Sequence, residues 1–431
     1  MKRYINNYSR SIMAGILLFA AASCKKEYTD PSGPSSGNAL SSANALTDVA
    51  VGLQNWYTAA RTGNVYTKIA ASSLLTGETY VVNAGNTDEN QLYLGGTNVQ
   101  NTNTIVTGLW TVSNKIIFDA NNVLNNVNSV VTDKSYASGL IAYTSIWKAL
   151  AIGDMAEFWE QVPDTTGTNV SFITNTAGYT KAIGIIDNAL AAISANAVSS
   201  TFTKNIPAGI DLQNTLYALK ARYALFAGDY TTALAAANQV TLSVTSTYNY
   251  NALTTNPIFT LVTSTNNIYQ VTDSTMSLPV GLRPDADDKR YPFYVTISSS
   301  PRFRIKGFYT STTQAIPVYL PGEITLIKAE CYARQHDLAN GLIELNKVVT
   351  KTASQDAFGV GAALPGEVAA TESDLLDLIY KHRRIELFMG GLALEDERRF
   401  GRPTTERKRS YFPYPFVERN GNTNTPTDPS F

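Results

Sequence analysis

The sequence predicts a mainly α-helical scaffold that carries an irregular, loop-rich insert with short β-strands. Three observations predict it. Long apolar stripes recur at helical spacing through the first half of the chain. Two separated stretches, residues 219–240 and 327–348, align without a gap as helix–turn–helix units. Between them, residues 242–316 are rich in Thr, Ser, Asn and Pro, and their aromatic residues stand among turn formers.

At the start of the chain, Lys2, Arg3 and Arg10 precede an apolar run from Ile12 to Ala22. The run is shorter than the roughly 20 residues that a spanning helix needs, so residues 1–23 read as a processing signal. Ala21-Ala22-Ser23-Cys24 resembles a bacterial lipobox, with Ala at position 21 where Leu is usual. Cys24 is the expected lipidation site and new N-terminus. Residues 24–40, with a Pro/Ser/Gly stretch from Asp30 to Gly37, suit a flexible tether from lipid to folded body.

The body begins at residue 41. Leu46, Val49, Leu53, Trp56 or Tyr57 and Ala60 share one face of a helix over 41–61, opened by Ser and stopped at Gly63. Ile105, Leu109, Val112, Ile116, Ala120, Leu124 and Val127 mark a helix over 102–130. Tyr136, Leu140, Tyr143, Trp147, Leu150 and Phe158 mark another over 133–159. Shorter helices follow at 179–193 and 212–227. Such stripes are core faces, and Trp56, Trp110 and Trp147 sit on them.

In the first helix–turn–helix unit, Lys220-Ala221 is followed by Gly228-Asp229, Leu234, Asn238 and Val240. In the second, Lys328-Ala329 is followed by His336-Asp337, Leu342, Asn346 and Val348. Small inward residues let antiparallel helices approach, and the Asp turn reverses the chain. Each unit resembles a tetratricopeptide repeat, although the two are not in tandem. The intervening insert reads as loops and hairpins, with β-like runs at 268–272, 293–297 and 302–308. Loops laid over a rigid scaffold are where binding usually sits.

Towards the C-terminus, Leu375, Leu378 or Ile379, Ile385 and Leu387 or Phe388 mark a last helix between Thr371 and Gly390. Thr371 with Asp374 forms a capping box, and Gly390-Gly391 a stop. Arg383 and Glu386 stand one turn apart, as do Glu395 and Arg398. Mixed charge at this spacing predicts an ion-pair network that locks the last helix onto the body.

Composition removes several function classes. Without Lys2, Arg3 and Arg10 the chain keeps 31 basic residues against 35 acidic, a balance of −4 that gives no support to nucleic-acid binding. Beyond Cys24 there is only Cys331, expected as a small buried helix residue, so no disulfide framework is present. His336 and His382 are too few for a multi-histidine metal site, and neither a nucleotide-binding nor a nucleophile motif occurs. No cofactor is expected.

Several separated motifs are similar to those of the SusD/RagB family of outer-membrane nutrient-binding lipoproteins. They are the lipobox Cys24 with its tether, and the run Trp110 … Ile116-Ile117 … Ala120-Asn121-Asn122-Val123-Leu124. Next come Phe158-Trp159-Glu160-Gln161-Val162-Pro163, where Glu-Gln replaces a usual Gly-Asp, and Asp287-Asp288-Lys289-Arg290. Ile316 to Glu323, with Pro321 before the small residue and Glu, leads into the Lys-Ala-Glu helix. The charged block from Tyr380 to Arg402, Pro413-Tyr414-Pro415, Glu418 and Asn420 close the series. The resemblance covers essentially all of the chain after Cys24. It implies a SusD-like domain over 41–431: a helical part at 41–241, the insert at 242–316 and a C-terminal part at 317–431. It also implies a surface-exposed, lipid-anchored protein of the outer membrane, partnered by a SusC-like TonB-dependent transporter. That protein captures oligosaccharides or peptides and performs no chemistry.

Neutral glycans are held by aromatic faces and by amide or hydroxyl groups, so loop aromatics beside Asn, Asp and Gln are the candidate binding residues. They are Tyr80 with Asn83 and Asn86, Tyr93 with Asn90, Trp159 at a helix end, and Tyr291 and Tyr294 beside Asp287 and Arg290. Two other readings stand beside this one. A helical-repeat scaffold would bind a protein on a concave helical face. A surface glycoside hydrolase would need two facing carboxylates roughly 5–9 Å apart, for which Glu157 and Glu160 or Asp287 and Asp288 are the loosely suggestive pairs.

Overall fold

In the computed structural model, residues 40–431 are described. The signal segment 1–23, Cys24 and the tether up to residue 39 lie outside the described residues. Ser42 caps α1 (Ala43–Thr58), accepting a hydrogen bond from Ala45 N. The helix ends before the predicted Gly63, because Gly63 caps the next one, α2 (Asn64–Leu75). Every residue of α2 is buried, so it shows no amphipathic period and escapes a pattern reading. Strand β1 (Thr79–Val81) and helix α3 (Thr87–Leu94) follow.

The two long predicted helices are α4 (Thr104–Val130), capped by Asn103, and α5 (Lys134–Phe158), capped by Asp133. The β2 (Gln161–Pro163) and β3 (Phe172–Thr174) hairpin leads into α6 (Asn175–Ala195), and α7 (Ser200–Lys204) is a single turn. Along the chain each long helix packs on the next. Trp110 and Trp147 are buried as predicted, but Trp56 is 45% exposed. Its neighbour Tyr57 takes the inward position and donates to Asp154 at 2.7 Å.

The two repeat units are α8 (Leu212–Phe226) with α9 (Tyr230–Ala237), and α11 (Pro321–Arg334) with α12 (Leu338–Val349). Asp229 and Asp337 play the same part in each, capping the second helix through Thr232 N and Asn340 N. The residue before each Asp, Gly228 or His336, has positive φ, the left-handed step that reverses the chain. Cys331 is fully buried in α11. The insert contributes β4 (Thr247–Tyr248), β5 (Tyr269–Val271), α10 (Arg290–Tyr294), β6 (Val295–Ile297), β7 (Phe303–Ile305) and β8 (Ile316–Pro317). The expected strand at 293–297 is therefore half a helical turn and half a strand. Among the described residues, four two-stranded antiparallel ladders form, pairing β1 with β5, β2 with β3, β4 with β8, and β6 with β7.

The charged C-terminal block folds as α13 (Glu372–Glu386) and α14 (Ala393–Arg399), with α15 (Phe416–Gly421) near the end. The predicted network exists, with different partners. Arg383 does not pair with Glu386; it forks onto Asp396, at 3.0 and 2.9 Å. Glu386 receives Arg290 at 3.2 Å and Lys351 at 2.9 Å. Arg384 meets Glu397 at 2.7 Å, and Arg399 bridges Asp396 and Glu330. Arg398 pairs with Glu395 as expected. These groups are buried, so each needs its partner: an ion pair broken in such a setting costs about 3–5 kcal/mol. The clamp reaches the first helices through Leu394 N on Ser72 Oγ, at 3.2 Å, and Lys408 N on Leu75 O, at 2.9 Å.

Candidate functional site

The insert and the segment after α2 meet in a loop-built face. Thr79, Tyr80 and Val81 of β1 pair with Val271, Gln270 and Tyr269 of β5. The ladder continues past the strand, since Val82 N and Asn83 N both donate to Ile268 O, at 2.9 and 3.2 Å. At its other end Thr272 N donates to Glu78 O at 3.1 Å. Directly opposed residues of an antiparallel pair share a face, so Tyr80 lies on the face of Gln270.

Gln270 joins this ladder to the next one. Its buried amide donates to Val262 O at 2.6 Å and Asn267 Oδ1 at 2.8 Å, and its Oε1 accepts from Ile305 N of β7 at 2.8 Å. Strand β7 pairs with β6, and Ser298 N closes the hairpin on Arg302 O at 2.8 Å. Thus β1, β5, β7 and β6 form one surface, and Tyr80 and the β6–β7 hairpin stand on it together.

The exposed members of this face are Val82, Asn83 and Ala84, then Thr265 and Asn266, then Thr296, Ile297 and Arg302. Tyr80, Tyr291, Phe293 and Phe303 are half-buried. The Arg302 guanidinium lies 5.4 Å from the Phe303 ring centroid. Tyr291 sits near Asp273 and Arg302; burial first, and then the Asp273 carboxylate, hold its hydroxyl above the usual tyrosine range. Half-buried rings beside amides and one guanidinium are a surface for a neutral, polar ligand with apolar faces.

The predicted residues separate into three groups. Tyr80, Asn83 and Tyr291 fall on or beside this face. Tyr93 lies at the far end of α3, where the Lys408 ammonium stands 3.7 Å from its ring centroid and covers it. Trp159 and Tyr294 are corrected by their burial, at 0% and 2% exposure. Trp159 donates from Nε1 to Pro413 O at 3.1 Å and packs on Phe412. Tyr294 donates to Glu386 O at 2.5 Å, so it belongs to the clamp. Arg290 and Asp288 form a buried pair at 2.7 Å, and of the two aspartates only Asp287 is exposed. Glu157 faces Lys68 at 3.0 Å, while Glu160 is exposed. Neither carboxylate pair opens together onto a shared cleft. Sequence reasoning did not single out Arg302, Phe303, Thr265 and Asn266 as members of this candidate face; their signal was the alternation of a short hairpin among turn formers.

Beneath the loops lies a cavity of about 70 Å³, lined by Tyr57, Tyr248, Tyr309, Tyr319, Arg222 and Glu323 among others. Several of its polar groups are already partnered. Arg222 forks onto Glu323 at 2.6 and 2.7 Å, and Tyr309 donates to Met389 O at 2.7 Å. It has room for a few waters and is a packing feature of the core. Among the described residues, no group of three His, Cys, Asp or Glu side chains is gathered as a metal would need. No described helix is long and apolar enough to cross a membrane.

Solved structures match this architecture over most of the chain. A SusD superfamily protein from Bacteroides thetaiotaomicron superposes with a TM-score of 0.69 at 15% identity, covering 90% of this chain and 100% of its own. A SusD-like carbohydrate binding protein from Bacteroides vulgatus gives 0.67 at 16% identity, covering 84% of each chain. A laminarin binding SusD-like protein gives 0.63 at 16% identity, covering 90% of this chain and 99% of its own. No protein-family model matches the sequence, and no curated protein matches it.

Proposed function

We propose that this chain, which has the SusD-like fold, is a nutrient-binding protein of the cell surface. In this reading it captures an oligosaccharide, or a peptide, on the face built by β1, β5, β7 and β6. It is held to the outer membrane by lipid on Cys24 and passes its ligand to a SusC-like TonB-dependent transporter. The observation that carries the reading is the likeness over nine-tenths of the chain to SusD-like structures, one of them described as laminarin binding. The face supports it with Tyr80, Asn83, Tyr291, Phe303 and Arg302 on short strands, a helical turn and their loops, tied together by the buried Gln270 amide. The protein performs no chemistry in this reading: its buried carboxylates at Glu157 and Asp288 are held by Lys68 and Arg290.

A glycan array followed by calorimetry tests the capture step. Saturable binding without product release is expected, and Tyr80→Ala with Tyr291→Ala should weaken it at least about tenfold, the loss of two ring contacts. Unchanged affinity in the double variant would remove this face from the proposal. Purification from native membranes should bring down a β-barrel partner, and Cys24→Ser should release the protein from the membrane fraction.

A further inference from the structure

A second surface lies away from the loop face, along the helices. Helix α5 packs between α4 and α6, and a groove runs over it. Its two basins have volumes of about 460 and 100 Å³ and meet at Lys148, which lines both. On the floor, Ser138, Ile141, Ser145, Lys148, Ile152 and Met155 recur every three or four residues. At about 1.5 Å per residue this stripe spans about 25 Å. That is room for an extended chain of seven or eight residues at about 3.3 Å each.

The wall supplied by α4 carries Asn114, Asn121 and Asn128, seven residues apart. Two helical turns place them about 10.5 Å from one another, close to the advance of three residues in an extended strand. A side-chain amide donates and accepts, so it can answer both groups of a peptide bond. Asn121 and Asn128 make no side-chain hydrogen bond among the described residues; Asn114 spends its Nδ2 on Trp110 O at 3.0 Å and keeps its oxygen. Asn188 adds an amide from the α6 wall.

The groove is also positive. Among the described residues, Lys134, Lys148 and Lys181 line it against a single carboxylate, Asp164, which is 3.0 Å from Lys181. Lys148 sits half-buried with no carboxylate partner among the described residues, and burial and Lys181 both depress its affinity for a proton. Among the described residues, no aromatic side chain lines either basin. The ring platform that a sugar would need is therefore missing there, while the peptide-matching amides and the unanswered ammonium are present.

We propose that this groove binds an extended, acidic segment of a partner protein, with the asparagines reading its backbone and Lys148 its carboxylates. The site is separate from the loop face and does not depend on what that face captures. The test is fluorescence anisotropy of the full chain with a labelled octapeptide of alternating glutamate and serine. Saturable binding that weakens as salt rises is expected. Lys148→Glu, or Asn121→Ala with Asn128→Ala, should weaken it at least about tenfold. Lys148→Arg should keep it, and Tyr80→Ala should leave it unmoved. Unshifted thermal melts identify variants that still fold, as outward positions on helices predict. Absence of binding, equal binding of a lysine–serine octapeptide, or displacement by a neutral hexasaccharide would each overturn the proposal, the last by making the groove a second glycan site.

Discussion

At the residue scale, glycines separate close packing from tolerance. Gly153 lies where α5 crosses α8, and a Cβ built there would fall 2.2 Å from Tyr223 Cζ. The ring is buried and cannot swing away. Gly153→Ala should therefore destabilise by about 1–3 kcal/mol, as overpacking does. Gly184, inside the exposed face of α6, would meet nothing within 4 Å. Gly184→Ala should stabilise by about 0.5–1 kcal/mol, because alanine gives up less backbone entropy in a helix. Chemical denaturation of the two variants checks both signs; equal effects would mean that the α5–α8 contact is looser than described. The sequence makes Gly153 look no different from Gly184, since what distinguishes them is a tyrosine that approaches from a helix seventy residues away. Trp56 and Tyr57 teach the same lesson. Both fit the apolar stripe, and only the position of Asp154 decides that Tyr57 turns inward.

At the element scale, the junction of α1, α2 and α5 is polar at its centre. Lys68 of α2 is shared by Asp154 at 2.9 Å and Glu157 at 3.0 Å, both on α5. One ammonium between two buried carboxylates leaves one of them short of charge. Burial raises the Glu157 carboxyl to about 7, with Asp154 adding to the rise and Lys68 opposing it. Its folded value thus lies above its unfolded one near 4.5, so the folded state binds more protons between these limits. The stability contributed is complete below about 4.5 and is lost as pH rises through about 7. Thermal melts from pH 5 to 8 should show falling stability, with a shallower slope in Glu157→Gln. The slope that remains belongs to Glu78 and Glu397, which burial raises to about 7 and about 8, opposed below about 6.5 by His382, which burial lowers to about 4. An identical slope in the variant would assign the whole effect to those two. Helix α2, which supplies Lys68, was illegible in the sequence for a physical reason: buried on every side, it has no polar face to give it a period. The opposite holds for α9 and α12, whose Gly228-Asp229 and His336-Asp337 turns are local and were read directly. The candidate face was half legible. Tyr80, Asn83 and Tyr291 were found by residue type, but the β1–β5 pairing that gathers them joins segments remote in the chain, and no short pattern encodes it.

At the scale of the whole molecule, the tail is what closes the fold. After α14 the chain returns across the first helices. Trp159 Nε1 donates to Pro413 O, Phe158 stacks on Phe412 at 5.1 Å, and Trp110 meets both Trp159 and Tyr414 edge-on. Tyr414 also exchanges hydrogen bonds with the backbone of Gln161, at 3.2 Å each, and Arg409 Nη1 donates to Gly96 O at 2.7 Å. One apolar core accordingly runs from Leu46 to Tyr414, with a smaller one between α11, α12 and α13. Removing residues 402–431 would uncover Trp110, Phe158 and Trp159, each of which contributes about 1.5–3 kcal/mol by burial. That loss is comparable to the 5–15 kcal/mol by which a folded chain is usually stable. The full chain should therefore unfold in one transition seen alike by tryptophan fluorescence and far-ultraviolet circular dichroism. The truncated chain should lose much of the fluorescence transition or shift it far below the loss of helix signal, because two of the four tryptophans, Trp110 and Trp159, sit on the tail's seat and α11–α12 keep a core of their own. Coincident, unshifted transitions after truncation would show that the helical body holds its tryptophans without the tail.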